Sequence, residues 1–319
     1  MKTFIIGIND ANQRIDKFIS KAVPLLPKNL LYKYIRLKRI KINRKRCTIS
    51  QKLNQNDIVE LYVNDEFFKT DNNHIFLSVS DKLNIIYEDE NILLIDKKVG
   101  MLVHSDDSND HDTLINRILH YLYNKHEYIP ENENSFIPAL ANRIDRNTGG
   151  IVIAAKNAES LRILNEKIKN REIKKYYLCI VHGKPDKKQT TLQSYLEKDS
   201  DQNKVFITNK KNTTNKTIIT EYTCLDSVGN YSLLEVDLKT GRTHQIRAHL
   251  AYIGHPILGD GKYGSNSINK GTSFNKQALY SYKLLFDFKD DAGILNYLKN
   301  KTYVIDDVWF VKNFYDGIS

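Results

Sequence analysis

Residues 238–250 read Leu238-Lys239-Thr240-Gly241-Arg242-Thr243-His244-Gln245-Ile246-Arg247-Ala248-His249-Leu250, and the chain runs on through Gly254-His255-Pro256-Ile257-Leu258-Gly259-Asp260 to Tyr263-Gly264. A strand arriving at Leu238 stops at Thr240-Gly241. Thr243 is a candidate N-cap, and Ile246, Leu250 and Ile253 line one face of a short helix that Gly254 terminates. Arg247 then stands on the opening turns of that helix. His244, His249 and His255 invite a metal site, but the spacing puts His244 and His249 on different faces, and neither an HExxH pattern nor a carboxylate partner accompanies them.

A second stretch lies upstream: Asn142-Arg143-Ile144-Asp145-Arg146-Asn147-Thr148-Gly149-Gly150, followed by the apolar strand Ile151-Val152-Ile153-Ala154-Ala155 and Lys156. An acid between two arginines has its anion favoured by nearby positive charge, and the two glycines let the chain turn tightly with its backbone close to a ligand. Asp145 is either a site carboxylate or half of a structural Arg–Asp pair. A phosphate loop would need Gly-Lys-Ser/Thr after the glycines, and a serine hydrolase would need Gly-x-Ser-x-Gly; the chain has neither.

Outward from these motifs the elements alternate irregularly. Ile15, Phe18, Ile19 and Ala22 predict a helix ending near Pro24, and Leu30, Leu31, Tyr34 and Ile35 a second over 28–37. Ile40 and Ile42, a turn at Asn43-Arg44-Lys45, and a closing strand with Ile58, Leu61 and Val63 complete a small unit over 1–64. Residues 65–80 read as a linker. Over 81–319 the spacing predicts strands at 85–87 and 92–95, a helix over 113–123, a polar surface loop at 124–135, a helix over 158–169, and strands at 176–181, 217–225 and 231–238. The segment 198–216 reads as a polar loop or exposed hairpin. This order predicts an α+β fold.

The chain has 319 residues, with 48 Lys+Arg against 38 Asp+Glu for a net charge of +10, and 41% apolar residues. Collagen, coiled coil and wholesale disorder are excluded on that balance. The basic excess is local. Lys28, Lys33, Arg36, Lys38, Arg39, Lys41, Arg44, Lys45 and Arg46 fall together with no acid among them, which predicts a nucleic-acid surface unless it is only a lysine-rich solvated face. No apolar run reaches membrane-span length and the N-terminus has no signal-peptide core, so a soluble cytoplasmic protein is expected. Cys47, Cys179 and Cys224 have no paired spacing and read as reduced thiols.

Arg14-Ile15-Asp16-Lys17-Phe18, the 28–38 helix, Arg39-Ile40-Lys41-Ile42-Asn43 and Asp57-Ile58-Val59 together resemble an S4-type RNA-binding domain. Asn142 to Gly150 with Ala155-Lys156, then Tyr177 to Gly183, then Thr240 to Asp260 resemble, in order, the motifs of the RluA family of pseudouridine synthases, over roughly 81–319. Asn142, Ile144, Gly149 and Cys179 replace the family's usual His, Leu, Ser and Ala. The resemblance implies a catalytic domain on a mixed, mainly antiparallel sheet and an isomerase that turns uridine into pseudouridine with no external cofactor or metal. It implies that Asp145 attacks the ribose C1′ or the uracil C6, that Arg247 keeps Asp145 ionised, and that Tyr177 stacks on the base and assists proton removal at C5. Arg143 would fill the space of a flipped-out nucleotide.

Lys33, Arg36, Lys38, Arg39, Lys41, Arg44 and Lys45 on the S4-like unit, with Arg242 and His244 in the third motif, are the RNA-contact candidates. Lys97 and Lys98 are candidates for phosphate contact. The layout is closest to members acting on large-subunit (23S) ribosomal RNA, and the expected protein is a monomer. Alternatives are a transfer-RNA substrate and a non-catalytic S4-type RNA-binding protein. An S4-bearing methyltransferase fits less well, because Thr148-Gly149-Gly150 precedes its apolar strand where a methionine-cofactor site needs the glycines after it.

Overall fold

The computed structural model describes residues 1–69, 74–105, 110–199, 204–265 and 269–318. At the N-terminus come strand β1 (Lys2–Ile5), helices α1 (Ile15–Ala22) and α2 (Lys28–Arg36), and strands β2 (Ile40–Ile42), β3 (Lys45–Arg46) and β4 (Ile58–Leu61). The strands form one antiparallel sheet in the order β1-β4-β2-β3. Asn43 and Arg44, both at positive φ, make the tight turn between β2 and β3, the geometry that matches the twist of a two-residue hairpin. Ile15, Phe18 and Ile19 of α1 and Leu31 and Ile35 of α2 pack with Ile40, Val59 and Leu61 in a core of their own. Each such fully buried side chain contributes about 1.5–3 kcal/mol. Strand β1 has no counterpart in the sequence reading; only one of its four residues is buried, so it carries no periodic signal.

The stretch read as a linker holds two single-turn 3-10 helices, Asp65–Phe68 and Ile75–Ser78. Phe76 leaves the solvent to pack on Tyr123 and Tyr128 of the following unit. Residues 70–73 of that stretch lie outside the described residues.

The rest of the chain follows as β5 (Ile85–Glu88), β6 (Ile92–Lys97), α3 (Leu114–Asn124), β7 (Ala139–Leu140), β8 (Gly149–Ala155), α4 (Ala158–Lys169), β9 (Ile173–His182), β10 (Gln189–Asp199), β11 (Lys204–Thr208), β12 (Lys216–Val228), β13 (Tyr231–Leu238), α5 (Gln245–Tyr252), β14 (Leu279–Phe286) and β15 (Thr302–Val304). Among the described residues these strands make a sheet of eleven, in the order β11-β10-β12-β13-β9-β14-β8-β6-β5, with β15 on β14 and β7 on β8. Every pairing is antiparallel except β14 with β8, so the sheet is mixed and mainly antiparallel. The 198–216 segment resolves into the end of β10, the edge strand β11 and the start of β12. Its residues 200–203 lie outside the described ones. Among the described residues no helix is long and apolar enough to cross a membrane.

Strand β8 is buried from end to end, and it starts at the two glycines of the Asp145 loop. A Cβ at Gly150, where φ is +108°, would stand 2.1 Å from the Ser281 carbonyl oxygen of β14, and one at Gly149 would stand 2.4 Å from the Tyr280 ring. The glycines thus permit the parallel crossing that brings β14 beneath the loop. Gly150→Ala is expected to cost about 3 kcal/mol or more and to lower the Tm by about 5 °C or more, read by thermal denaturation.

The 124–135 loop is exposed over 124–127 and 131–132, and its last residues have a second reason to be polar. Asn134 Nδ2 and Ser135 Oγ donate to the Asp10 carboxylate at 2.7 and 2.6 Å, and Asn9 Nδ2 donates to Glu133 at 2.9 Å. Arg162 of α4 reaches the Ala11 carbonyl at 3.2 Å. The segment Asn9 to Ala11, between β1 and α1, is thereby tied to the 133–135 loop and to α4 by polar contacts.

Candidate active site

A cleft of about 530 Å³ opens where β9, β13 and the start of α5 face the Asp145 loop, a volume suited to a nucleotide-sized group. Its wall includes Asp145, Tyr177, His244 and Arg247, so the residues that sequence reasoning named from three separate motifs meet in one place.

Asp145 sits between β7 and β8, in a turn closed by the Thr148 N–H on the Asp145 carbonyl at 3.0 Å. Gln277 Nε2 holds Thr148 Oγ1 at 2.9 Å, and Asn142 Oδ1 accepts the Ile153 N–H at 2.8 Å, so both ends of the loop are tied to the sheet. Asn142, where the family usually has His, thereby anchors the loop on β8. The Asp145 carboxylate keeps a quarter of its surface exposed, toward the cleft.

The cation that pairs with it is not a flanking arginine. Arg146 turns away to the Gly100 carbonyl at 3.1 Å, Arg143 is exposed at the cleft wall, and Arg247 Nη1 donates to Asp145 Oδ2 at 2.8 Å. Arg247 is itself fixed from behind: Nε and Nη2 donate to the two oxygens of Asp260 at 2.7 and 3.0 Å, a bidentate pair with a fully buried carboxylate. Burial alone would weaken the charge of the guanidinium, but Asp260 and Asp145 outweigh it and raise its pKa above the ordinary range. Burial likewise opposes the Asp260 anion, and the Arg247 hydrogen bond and charge override it, with backbone N–H groups of Lys262 and Tyr263 adding to the same oxygen.

The motif 240–250 is built around Gln245. Its amide oxygen accepts from Thr240 Oγ1 and the Arg242 N–H, and its amide nitrogen donates to the Ile219 carbonyl and Thr220 Oγ1 of β12, all at 2.9 to 3.1 Å. The N-cap of α5 is His244, not Thr243. His244 adopts the left-handed conformation (φ 52°), and the chain reverses there so that Arg247 points to Asp145. Arg242 is exposed on the rim. The three histidines separate: His249 is a buried core residue bonded to Thr220 at 2.9 Å and to Ser194 at 3.3 Å, with its pKa pulled down to about 4 by burial, while His255 binds the His182 carbonyl.

Tyr177, on β9, is 5% exposed and lies at the cleft floor. Burial, with the Asp145 charge adding to it and Ser281 opposing, pushes its hydroxyl up to about 12. Lys97 corrects an expectation: it is 1% exposed, and its ammonium donates to the carbonyls of Lys98, Met101 and Arg146 at 2.8 to 3.0 Å, so it buttresses the Asp145 loop from below and reaches no phosphate. Burial lowers it to about 7 against the favourable charges of Asp145 and Asp96. Lys98 is exposed. Far from the cleft in sequence, Lys33, Arg36, Lys38, Arg39, Arg44 and Lys45 are exposed on α2 and the β2–β3 hairpin, and Lys41 is half-buried with its ammonium 5.2 Å from the Tyr62 ring centre.

Sequence reasoning gave Asp260 and Tyr263 no role. Both stand in the quoted motif, and the missing signal was spatial: the turn after α5 brings them back under Arg247.

An acid held by a buried, doubly anchored arginine at a nucleotide-sized cleft defines an enzyme site for a polar substrate. The sequence profile of the RNA pseudouridylate synthase family matches residues 91–252, which include Asp145, Tyr177 and Arg247. An RNA pseudouridine synthase of Mycoplasma genitalium is 35% identical over 289 residues, 89% of this chain and 88% of the relative. Ribosomal large subunit pseudouridine synthase C of Buchnera aphidicola subsp. Baizongia pistaciae is 33% identical over 265 residues, 82% of this chain and 80% of that protein. In fold, the human RNA pseudouridylate synthase domain containing 4 structure superposes with a TM-score of 0.57 at 20% identity, covering 73% of this chain and 92% of the other. The chain belongs to the RNA pseudouridylate synthase family, isomerases that convert uridine to pseudouridine in RNA.

Proposed function

We propose that the chain isomerises specific uridines of large-subunit ribosomal RNA, with Asp145 as the reacting carboxylate. The observation that carries this is the Asp145–Arg247–Asp260 array on the cleft wall: Arg247 favours the anion of Asp145, and Asp260 keeps Arg247 aimed. The relative named for the large ribosomal subunit supports the substrate. A paired uridine cannot reach a carboxylate at the base of a cleft, so it is flipped out; exposed Arg143 then fills its place and Tyr177 carries the flipped base on its ring. With its hydroxyl at about 12, Tyr177 serves as a platform and not as a base at neutral pH. The reaction so described consumes no cofactor. Incubation of unmodified large-subunit RNA with the protein, followed by carbodiimide treatment and primer extension, is expected to show new stops at a small set of uridines, and none on transfer RNA.

In this reading residues 1–64 form an S4-like RNA-binding domain, 65–80 a linker and 81–319 the catalytic domain. The exposed cations of α2 and the β2–β3 hairpin bind phosphates, and the polar seat at Asp10, Asn134 and Ser135 orients them relative to the cleft. Replacing Lys33, Arg36 and Lys38 together by Gln is expected to make the slope of log affinity against log salt shallower by about 2–3, with the rate at saturating RNA unchanged. Titrations from low to moderate salt check it.

A further inference from the structure

The edge hairpin β10–β11 touches the cleft through one relay of hydrogen bonds. The Val205 N–H of β11 donates to the Tyr263 hydroxyl at 3.0 Å, and that hydroxyl lies 2.9 Å from His244 Nδ1. The hydroxyl accepts from Val205 and has its own proton to turn toward Nδ1; in that arrangement the neutral imidazole carries its hydrogen on Nε2. Nε2 is 3.9 Å from Asp145 Oδ2, too far for a hydrogen bond to it and near enough for both groups to touch one ligand lying between them and the cleft. The ring is held edge-on to Tyr263, and the backbone beneath it keeps a left-handed conformation, uncommon for residues other than glycine.

The two buried cations beside Asp145 are committed, while Arg143 and Arg242 lie exposed on the cleft wall and rim. Arg247 gives Nε and Nη2 to Asp260 and Nη1 to Asp145, and the Lys97 ammonium is bound by three carbonyls. We propose that His244 is a catalytic residue whose Nε2–H donates a hydrogen bond to a carbonyl oxygen of the target uracil, stabilising the base while it is detached from the ribose. This rests on the reading of Asp145 as the reacting group. As an Asp145 carboxylate oxygen bonds to C1′, the C1′–N1 bond breaks, and its electron pair leaves with the uracil and spreads over N1, O2 and O4. The hydrogen bond holds that charge without transferring the proton. The base turns, the pair at C5 forms the C5–C1′ bond as the Asp145–C1′ bond breaks and returns its pair to the carboxylate, and C5 then loses its proton to solvent while N1 gains one, so the sum is an isomerisation. Burial, together with the Arg247 and Lys262 charges, keeps the imidazole neutral against the opposing charges of Asp145 and Asp260, and Tyr263 faces it from the same turn.

The test compares wild type, His244→Asn and Tyr263→Phe in single turnover at saturating RNA, on C5-tritiated substrate RNA and on the same RNA carrying 5-fluorouridine, which cannot lose its C5 substituent as a cation. Asn tolerates the left-handed backbone, so that variant keeps the helix start while withdrawing the imidazole. The expected result is a rate about 100-fold lower for His244→Asn on both RNAs, a smaller loss for Tyr263→Phe, and unchanged RNA affinity for each. An unchanged rate, a loss confined to tritium release with 5-fluorouridine rearrangement intact, or a loss of affinity alone would each overturn the proposal. Wild type inactive on both RNAs would instead defeat the substrate reading, and an active Asp145→Ala protein the assignment of Asp145.

Discussion

An Asp145→Asn protein is expected to bind substrate RNA as the wild type does and to form pseudouridine at least about 10⁴-fold more slowly. The amide keeps the shape of the carboxylate but has neither its charge nor its nucleophilic electron pair. The loop that carries residue 145 is held by Thr148, Asn142 and Lys97 through groups other than its side chain, so it stays in place. RNA affinity is carried by phosphate contacts, which this change leaves alone. Filter binding beside a product assay separates the two quantities. Equal losses of binding and of product would mean that Asp145 holds RNA and does not react with it.

Arg247→Met is expected to damage stability as well as activity. Asp260 loses its bidentate partner and is left as a buried carboxylate with only the backbone N–H groups of Lys262 and Tyr263, a cost of about 3–5 kcal/mol. The pH dependence carries the sign. In the wild type the Asp260 pKa is depressed, so its stabilisation is present above the ordinary carboxylate range and is lost as pH falls through the folded value. In the variant burial acts unopposed by the guanidinium and raises that pKa, so the Tm deficit widens as pH rises from 4 to 8. Adding Asp260→Leu removes the stranded charge and is expected to restore most of the Tm without restoring activity. A pH-independent deficit would show that the Arg247–Asp260 pair does not hold the site.

Much of this arrangement is legible in the sequence, for physical reasons that differ by element. Helices α1, α2, α3 and α4 follow from apolar residues at helical spacing because each buries one stripe. The strands β6, β8 and β13 show as apolar runs because they are buried in the middle of the sheet. Strand β10 was missed: of its eleven residues only Ser194 and Leu196 are buried, so Gln189 to Asp199 looks like a polar loop. Strand β14 was missed although it is central, since its tyrosines and lysine give no clean alternation.

At the site, Asp145, Tyr177 and Arg247 were nameable from their motifs, and they do line one cleft. The resemblance also implied Arg247 as the cation on Asp145; Asp260 behind it was not nameable. That Arg247, and neither Arg143 nor Arg146, is the cation on Asp145 depends on α5 starting at a left-handed His244, and the Asp260 contact depends on a turn that closes thirteen positions later. Lys97 was misread because charge on a short basic run suggests solvent, whereas β6 carries it under the loop.

The central claim, isomerisation of large-subunit ribosomal RNA at Asp145, is tested most directly by tritium release from unmodified large-subunit RNA labelled at uridine C5. The predicted result, with no metal or cofactor added, is release by the wild type to a plateau of one or a few equivalents per RNA and none by Asp145→Ala. Release from transfer RNA alone, or equal release by Asp145→Ala, would contradict it.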